Sequence, residues 1–220
     1  MQRRWKDFRV HLIDDLFVLE YFKEREPEFA SIYSRISLGA AKADLVRLLL
    51  MYEYGGLYLD IMNEPKDDFT DMHLLFEKLD TKTTLIGSWE PANITFQLIL
   101  SKPKSNLMLC LYQLCKNNLV CQFKKEVVDN EISPYNLVVL TGPILFHELV
   151  VNKPFQSWNT YLKCLEYASE NYPFFCKWDC ELLDVSKYFW LWRVGFDNHH
   201  GKNMAKHWSV LQDSQKLFLS

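Results

Sequence analysis

The fold of this protein is decided by the stretch from Ala40 to Pro65, which reads AAKADLVRLLLMYEYGGLYLDIMNEP. Apolar residues and good helix formers fill positions 43–51, and this pattern predicts a helix. The pair Gly55-Gly56 can then supply the left-handed backbone that ends a helix. Leu57-Tyr58-Leu59 predicts a short buried strand that carries Asp60 at its carboxyl end. Ligands of open α/β sheets bind beyond the carboxyl ends of the strands, so Asp60 is a candidate ligand for a metal or a polar substrate.

Size and composition indicate one folded globular domain that spans residues 1–220. The chain has 220 residues, of which 49% are hydrophobic and 15% aromatic, enough for a sizeable core. Its net charge of -3 argues against a basic nucleic-acid surface. No apolar stretch is long enough for a membrane span, and the N-terminal MQRRWKDFRV has no apolar segment behind it. We therefore expect a cytoplasmic location, with the cysteines as thiols.

A specific resemblance rests on the run from Ala43 to Asp60, ADLVRLLLMYEYGGLYLD. It resembles the core signature of the sugar transferases with a DXD motif. This family includes initiating mannosyltransferases, capsular sugar transferases of polysaccharide biosynthesis and the catalytic domains of clostridial glucosylating toxins. The resemblance implies an α/β fold of the GT-A type, a Rossmann-like mixed sheet flanked by helices. In the family another strand normally precedes residue 5, so we expect either a reduced version of the fold or a true start upstream.

The resemblance also implies an activity. A hexose would pass from a nucleotide diphosphate sugar to a hydroxyl group of a glycan, protein or lipid acceptor, with retention of anomeric configuration. A divalent cation, Mn²⁺ or Mg²⁺, would neutralise the departing diphosphate. The family positions that hold the sugar hydroxyls and the diphosphate side of the donor match Asp44 and Arg47. An i,i+3 pair of this kind is otherwise a plain surface salt bridge, but the apolar helix around it predicts burial.

The sequence departs from the family at the second acid of the DXD motif. The family ends this segment with Y-L-D-x-D, and here Met62 stands in the last position. A thioether is too soft a donor for Mg²⁺ or Mn²⁺, whereas Asn63 and Glu64 offer hard oxygen atoms. Along an extended segment Glu64 would share a side with Asp60 and Asn63 would lie opposite. We therefore expect Asp60 and Glu64 to act as metal ligands and catalytic residues.

The remaining candidates would contact the nucleotide or the metal. Tyr58 could stack on a base or sugar, although a packed core tyrosine fits equally well. The closing histidine and tryptophan motif of the family resembles the region that contains His200 and Trp208. In the family, a late loop folds over the nucleotide. The resemblance therefore implies that His200 is a candidate metal ligand or phosphate contact and that Trp208 is a candidate stacking face.

Local patterns predict the other elements. They comprise a strand over 9–13, helices over 16–24, 72–79, 106–118 and 144–151, strands over 84–89, 96–100 and 136–140, an exposed excursion over 122–135, and a strand within 180–192. A Thr-Gly-Pro turn at 141–143 joins the last strand before residue 144 to its helix.

Two other functions stay open at this point. Because Met62 replaces an acid, the chain could be a degenerate member that binds a sugar nucleotide or a protein partner without turnover. It could also be a metal-dependent hydrolase built on Asp60, Glu64 and the histidines, although no spacing typical of such enzymes supports this alternative.

Overall fold

The protein is described here by a computed structural model, which covers residues 8–60, 63–66, 73–88, 94–130, 135–151, 178–185, 189–191, 211–212 and 215–219. The helices are α1 (Asp15–Arg25), α2 (Pro27–Arg35), α3 (Gly39–Glu53), α4 (His73–Glu77), α5 (Asn106–Phe123), α6 (Leu137–Leu140) and α7 (Ile144–Val151). The strands are β1 (Gly56–Leu59), β2 (Asn63–Pro65), β3 (Thr84–Ser88), β4 (Ile94–Ser101), β5 (Cys180–Asp184) and β6 (Phe189–Leu191). A 3₁₀ turn at Lys78–Asp80 follows α4, and one π-helical turn at Lys124–Val128 extends α5.

A mixed sheet forms the centre of the described fold. Its strand order is β1-β4-β3-β5, with β4 antiparallel to both neighbours and β5 parallel to β3. A separate two-stranded antiparallel ribbon joins β2 to β6. Helices pack against the sheet, which confirms the predicted α/β class with a mixed sheet flanked by helices.

The two faces of the sheet bury different clusters, because successive side chains of a strand point to opposite sides. On β1, Tyr58 packs with the larger cluster, which includes Leu45 and Leu48 of α3. Leu57 and Leu59 instead pack with the smaller cluster under α4. Tyr58 therefore lies on the side of the sheet covered by α3, the helix that carries Asp44 and Arg47.

Leu217 and Phe218, near the end of the described residues, pair with the residues that precede α3. Ile36 forms a β-bridge with Phe218, and the Ser37 amide donates to the Leu217 carbonyl at 2.8 Å. The Phe218 amide donates to the buried carboxylate of Glu126 at 3.0 Å. The segment before α3 is thus fixed by residues from the far end of the described chain.

Several predicted elements match the structure closely. They are the helices at α1, α3, α5 and α7, the glycine break before β1, and strands β1, β3 and β4. Asp14 caps α1, since its carboxylate accepts a hydrogen bond from the Phe17 amide at 2.8 Å.

Three local predictions were wrong. Residues 9–13 form no strand, and Leu12 is 97% exposed. Residues 137–140 are helical instead of extended. In the predicted exposed excursion over 122–135, the part up to Val128 instead continues α5 into the π-helical turn, where Glu126 is buried, and residues 131–134 lie outside the described ranges.

Among the residues that the structure describes, no helix has the length and apolar character needed to cross a membrane.

Candidate active site

Two glycines connect the helix that carries Asp44 and Arg47 to the strand that leads to Asp60. Gly55 has φ of +67° and Gly56 has φ of +90°, in the left-handed region that glycine adopts at little cost. The Gly55 amide caps the helix by donating to the Met51 carbonyl at 3.2 Å. This sharp turn lays β1 back along α3.

Arg47 is buried at the junction of α3 and the sheet, with 8% of its surface exposed. Its Nη1 donates to the Phe96 carbonyl on β4 at 2.8 Å, and its Nε donates to the Ala43 carbonyl at 3.3 Å. Its Nη2 lies 3.1 Å from Oδ1 of Asp44, so all three guanidinium nitrogens have partners. The guanidinium carbon lies 4.7 Å from the centre of the Tyr58 ring, a cation–π distance.

Asp44 receives a second hydrogen bond from a distant part of the chain. The Thr141 hydroxyl donates to Oδ2 of Asp44 at 2.8 Å. Thr141 lies in the turn between α6 and α7 and is fully buried. Both carboxylate oxygens of Asp44 are therefore held, one by Arg47 and the other by Thr141.

Burial raises the pKa of Asp44 above its ordinary value, while the Arg47 charge and the Thr141 hydrogen bond lower it. The negative charge of Asp60 raises the pKa of Asp44 further, so the two carboxylates influence each other. Burial also raises the pKa of Tyr58, against the lowering effect of Arg47. The four predicted residues thus form one electrostatically connected group.

Asp60 follows the last paired residue of β1. Leu59 pairs with Leu98, and the Asp60 amide extends the ladder by donating to the Gln97 carbonyl at 2.8 Å. Two consecutive carbonyls of β4 therefore anchor the site, Phe96 through Arg47 and Gln97 through Asp60.

Asn63 also binds the Gln97 carbonyl, because its side-chain Nδ2 donates to that oxygen at 3.0 Å. The main-chain N–H of Asn63 donates to the Asp60 carbonyl at 2.9 Å. Residues three apart on an extended strand are separated by about 10 Å, so the expectation of an extended segment from Asp60 to Glu64 was wrong. Asn63 is 2% exposed, and its Oδ1 is buried without a hydrogen-bond partner in the described part of the chain.

The structure does not test the other predicted residues. Glu64 is described only in its backbone, where it pairs with Trp190 in the β2–β6 ribbon. Met62, His200 and Trp208 lie outside the described residues. Within the described ranges, no cluster of three or more His, Cys, Asp or Glu side chains is arranged to hold a metal ion. The roles of Glu64, His200 and Trp208 stay predictions.

Two residues at the site were not selected from the sequence. Thr141 was assigned only to a tight turn, and its polar role comes from a partner in α3 that no local pattern indicates. The sequence ranks Asn63 below Glu64, because the prediction treats the chain from Asp60 as extended. Its chemistry does suit a hard cation, since an amide oxygen and the Asp60 carboxylate are both ligands that Mg²⁺ and Mn²⁺ accept.

Comparison with known proteins connects this segment to a family. Residues 3–78, about a third of the chain, match the family model described as glycosyltransferase sugar-binding region containing DXD motif. The match includes Asp44, Arg47, Tyr58 and Asp60, and it confirms over these residues the resemblance inferred from the sequence. It ends before Thr141.

The chain is also similar to a solved structure described as PaToxG Glycosyltransferase. The identity is 18% and the TM-score 0.41, and the alignment covers 71% of this chain and 50% of the other. This chain thus spans about half the length of that protein. No curated protein matches the sequence.

Proposed function

We propose that the protein is a glycosyltransferase that moves a hexose from a nucleotide diphosphate sugar to a hydroxyl group of a glycan, protein or lipid. The observation that carries the proposal is the juxtaposition of Asp44, Arg47, Tyr58 and Asp60 within the segment that matches the family model. A carboxylate pair beside an aromatic ring suits a polar ligand with several hydroxyl groups.

Asp44 and Asp60 are the groups that would face the donor. Arg47 is mostly enclosed, with its three nitrogens engaged by protein atoms, so its role here is to position Asp44 and to balance its charge. Thr141 holds the other oxygen of Asp44 and restricts rotation of the carboxylate. A fixed acceptor of this kind selects hydroxyl groups by geometry at little entropic cost during binding.

In the transfer itself, the bond between the anomeric carbon and the diphosphate oxygen breaks and the diphosphate keeps the electron pair. The acceptor oxygen bonds to the carbon and loses its proton to solvent. A divalent cation, when bound, supplies positive charge that stabilises the leaving diphosphate. On the protein side, Asp60, Asn63 and the predicted ligand Glu64 offer oxygen atoms of the kind that such a cation accepts.

The experiment that tests the proposal is hydrolysis and transfer with a panel of UDP- and GDP-sugars in the presence of Mn²⁺. We expect release of the nucleotide diphosphate from at least one donor by the wild type and loss of that release in Asp60→Ala. Asp80→Ala is the matched control, because it removes an exposed carboxylate from the 3₁₀ turn behind the opposite face of the sheet. Equal activity in all three proteins would contradict the proposal.

Met62 favours a second candidate, a chain of the same fold that binds a sugar nucleotide or a partner without turnover. The same panel separates the two. Donor binding measured by calorimetry, without turnover under any metal condition, would support the second candidate and rule out the transferase.

A further inference from the structure

Asn63 is a buried polar residue whose side-chain nitrogen has a hydrogen-bond partner and whose side-chain oxygen has none among the described residues. Nδ2 donates to the Gln97 carbonyl at 3.0 Å, while Oδ1 is buried and has no hydrogen-bond partner among the described residues. A buried acceptor without a partner costs about 1–3 kcal/mol in the ligand-free protein. Such an atom is therefore an unusual feature that a ligand could explain.

The orientation of this amide is fixed by its neighbour. A flipped amide would place Oδ1 against the Gln97 carbonyl, where two acceptors would oppose each other. Oδ1 is therefore the side-chain atom of Asn63 that does not contact the Gln97 carbonyl. The main-chain N–H of Asn63 donates to the Asp60 carbonyl at 2.9 Å, so the two residues are close neighbours in space.

We propose that Oδ1 of Asn63 is an oxygen ligand, beside Asp60, for the divalent cation that accompanies the diphosphate of the donor. The inference rests on the proposed function and assigns to Asn63 the part that Met62 cannot play. An amide oxygen is a hard, neutral donor, and one carboxylate with one amide oxygen leaves most coordination positions of the cation to the diphosphate and water.

The charge of this ligand set leads to a specific expectation. Replacing an acid by a neutral amide removes one negative charge, and affinity for divalent cations depends on the number of charged ligands. The free protein should therefore bind Mn²⁺ weakly, and a bound nucleoside diphosphate should increase the affinity by adding phosphate oxygens.

The test is a titration of the full chain with Mn²⁺, followed by the electron paramagnetic resonance signal of free Mn²⁺, with and without UDP or GDP. We expect Asn63→Leu to lower the Mn²⁺ affinity by about tenfold or more, since loss of even an outer partner costs tenfold to a hundredfold. Asn63→Asp keeps an oxygen and adds a charge, so it should bind Mn²⁺ at least as tightly as the wild type. Ser105→Ala is the control, because it removes one buried hydrogen bond, to Thr84, away from Asp60.

The outcomes are separable. Wild-type affinity in Asn63→Leu, or absence of Mn²⁺ binding by the wild type in every condition, would overturn the inference. If Asn63→Leu does not fold, Asn63→Asp decides: affinity equal to or above that of the wild type supports the inference, and reduced affinity overturns it.

The inference and the proposed function fail in different ways. Mn²⁺-dependent turnover that is unaffected in Asn63→Leu removes only the role of Asn63. Mn²⁺ binding that depends on Asn63, with no donor ever turned over, removes only the transferase.

Discussion

Thr141 donates its hydroxyl hydrogen to Oδ2 of Asp44 at 2.8 Å across a separation of 97 residues. The same oxygen of Thr141 lies 3.2 Å from the Leu137 carbonyl, but a hydroxyl has one hydrogen and the shorter, charged acceptor takes most of it. The turn between α6 and α7 is thereby connected to the centre of α3. The conformation of Asp44 depends on this connection.

Thr141→Val should expose that dependence. The substitution keeps the shape of the side chain and removes the donor, so Oδ2 of Asp44 is left buried without its hydrogen bond. We expect the free energy of unfolding to fall by about 1–3 kcal/mol, measured by urea denaturation at pH 7. Thr141→Ser keeps the hydroxyl and should lose less. Equal stability of Thr141→Val and the wild type would contradict the assigned bond.

The pH dependence of stability should carry the signature of Asp44. Its pKa is raised in the folded protein, chiefly by burial, whereas the unfolded chain ionises near the ordinary value of 3.8. Between these two values the folded state binds more protons, so the free energy of unfolding falls as pH rises and then levels off above the folded pKa. Asp44→Asn removes this contribution. Its stability relative to the wild type should therefore improve as pH rises from about 4.

Asp15→Asn provides a control of opposite sign. The hydrogen bond from Lys42 is the main cause that lowers the pKa of Asp15. Its contribution to stability is present above the ordinary pKa and is lost as pH falls through the folded value. The relative stability of Asp15→Asn should thus worsen as pH rises. Parallel urea midpoints for both variants across the pH series would refute the assignment.

Arg47→Met should be strongly destabilising. The substitution preserves much of the side-chain volume but leaves the Asp44 carboxylate buried without its charge partner, a change that typically costs about 3–5 kcal/mol. Lys42→Met breaks the pair with the largely exposed Asp15, at 2.7 Å, and should cost less than about 1 kcal/mol. Chemical denaturation of the two variants checks the ranking, and a reversed order would show that Arg47 is not structural.

The two glycines should respond differently to alanine. A Cβ at Gly55 would lie 2.6 Å from the Pro103 nitrogen and 2.7 Å from the Ser101 carbonyl oxygen, both backbone atoms that cannot yield easily. A Cβ at Gly56 meets nothing within 4 Å, so only the left-handed backbone is strained, at about 1–3 kcal/mol. We expect Gly55→Ala to unfold at clearly lower temperature than Gly56→Ala. Similar melting temperatures would contradict the close contact.

The elements that could be predicted are those with strong local signals. Residue types within one stretch predict three features: the helix α3 from its run of apolar helix formers, the glycine break, and the strand after it. The structure confirms all three. The Asp44–Arg47 pair could be predicted because residues three apart share a helix face, and the apolar surroundings indicated burial.

Two of the failures, at Glu126 and at Asn63, come from dependence on distant partners. At 137–140 the cause is local: the β-branched Val138 and Val139 favour a strand by propensity, but Asn136 caps the segment as a helix by accepting from the Val138 amide at 3.0 Å. Glu126 lies in a polar stretch, yet it is buried because Gln122 and the Phe218 amide satisfy its oxygens. The position of Asn63 close to Asp60 is supported by the Gln97 carbonyl of another strand, which accepts from Asn63 Nδ2.

The bridge between Ile36 and Phe218 has a consequence for the order in which the protein can be assembled. The neighbouring pair, Ser37 and Leu217, is separated by 180 positions. Because a ribosome makes the chain from the N-terminus, the residues that lead into α3 emerge long before the segment that completes their hydrogen bonding. Contacts of such long sequence separation also slow folding. The helical layer beside the site therefore acquires this neighbour only after a further 180 residues have been made.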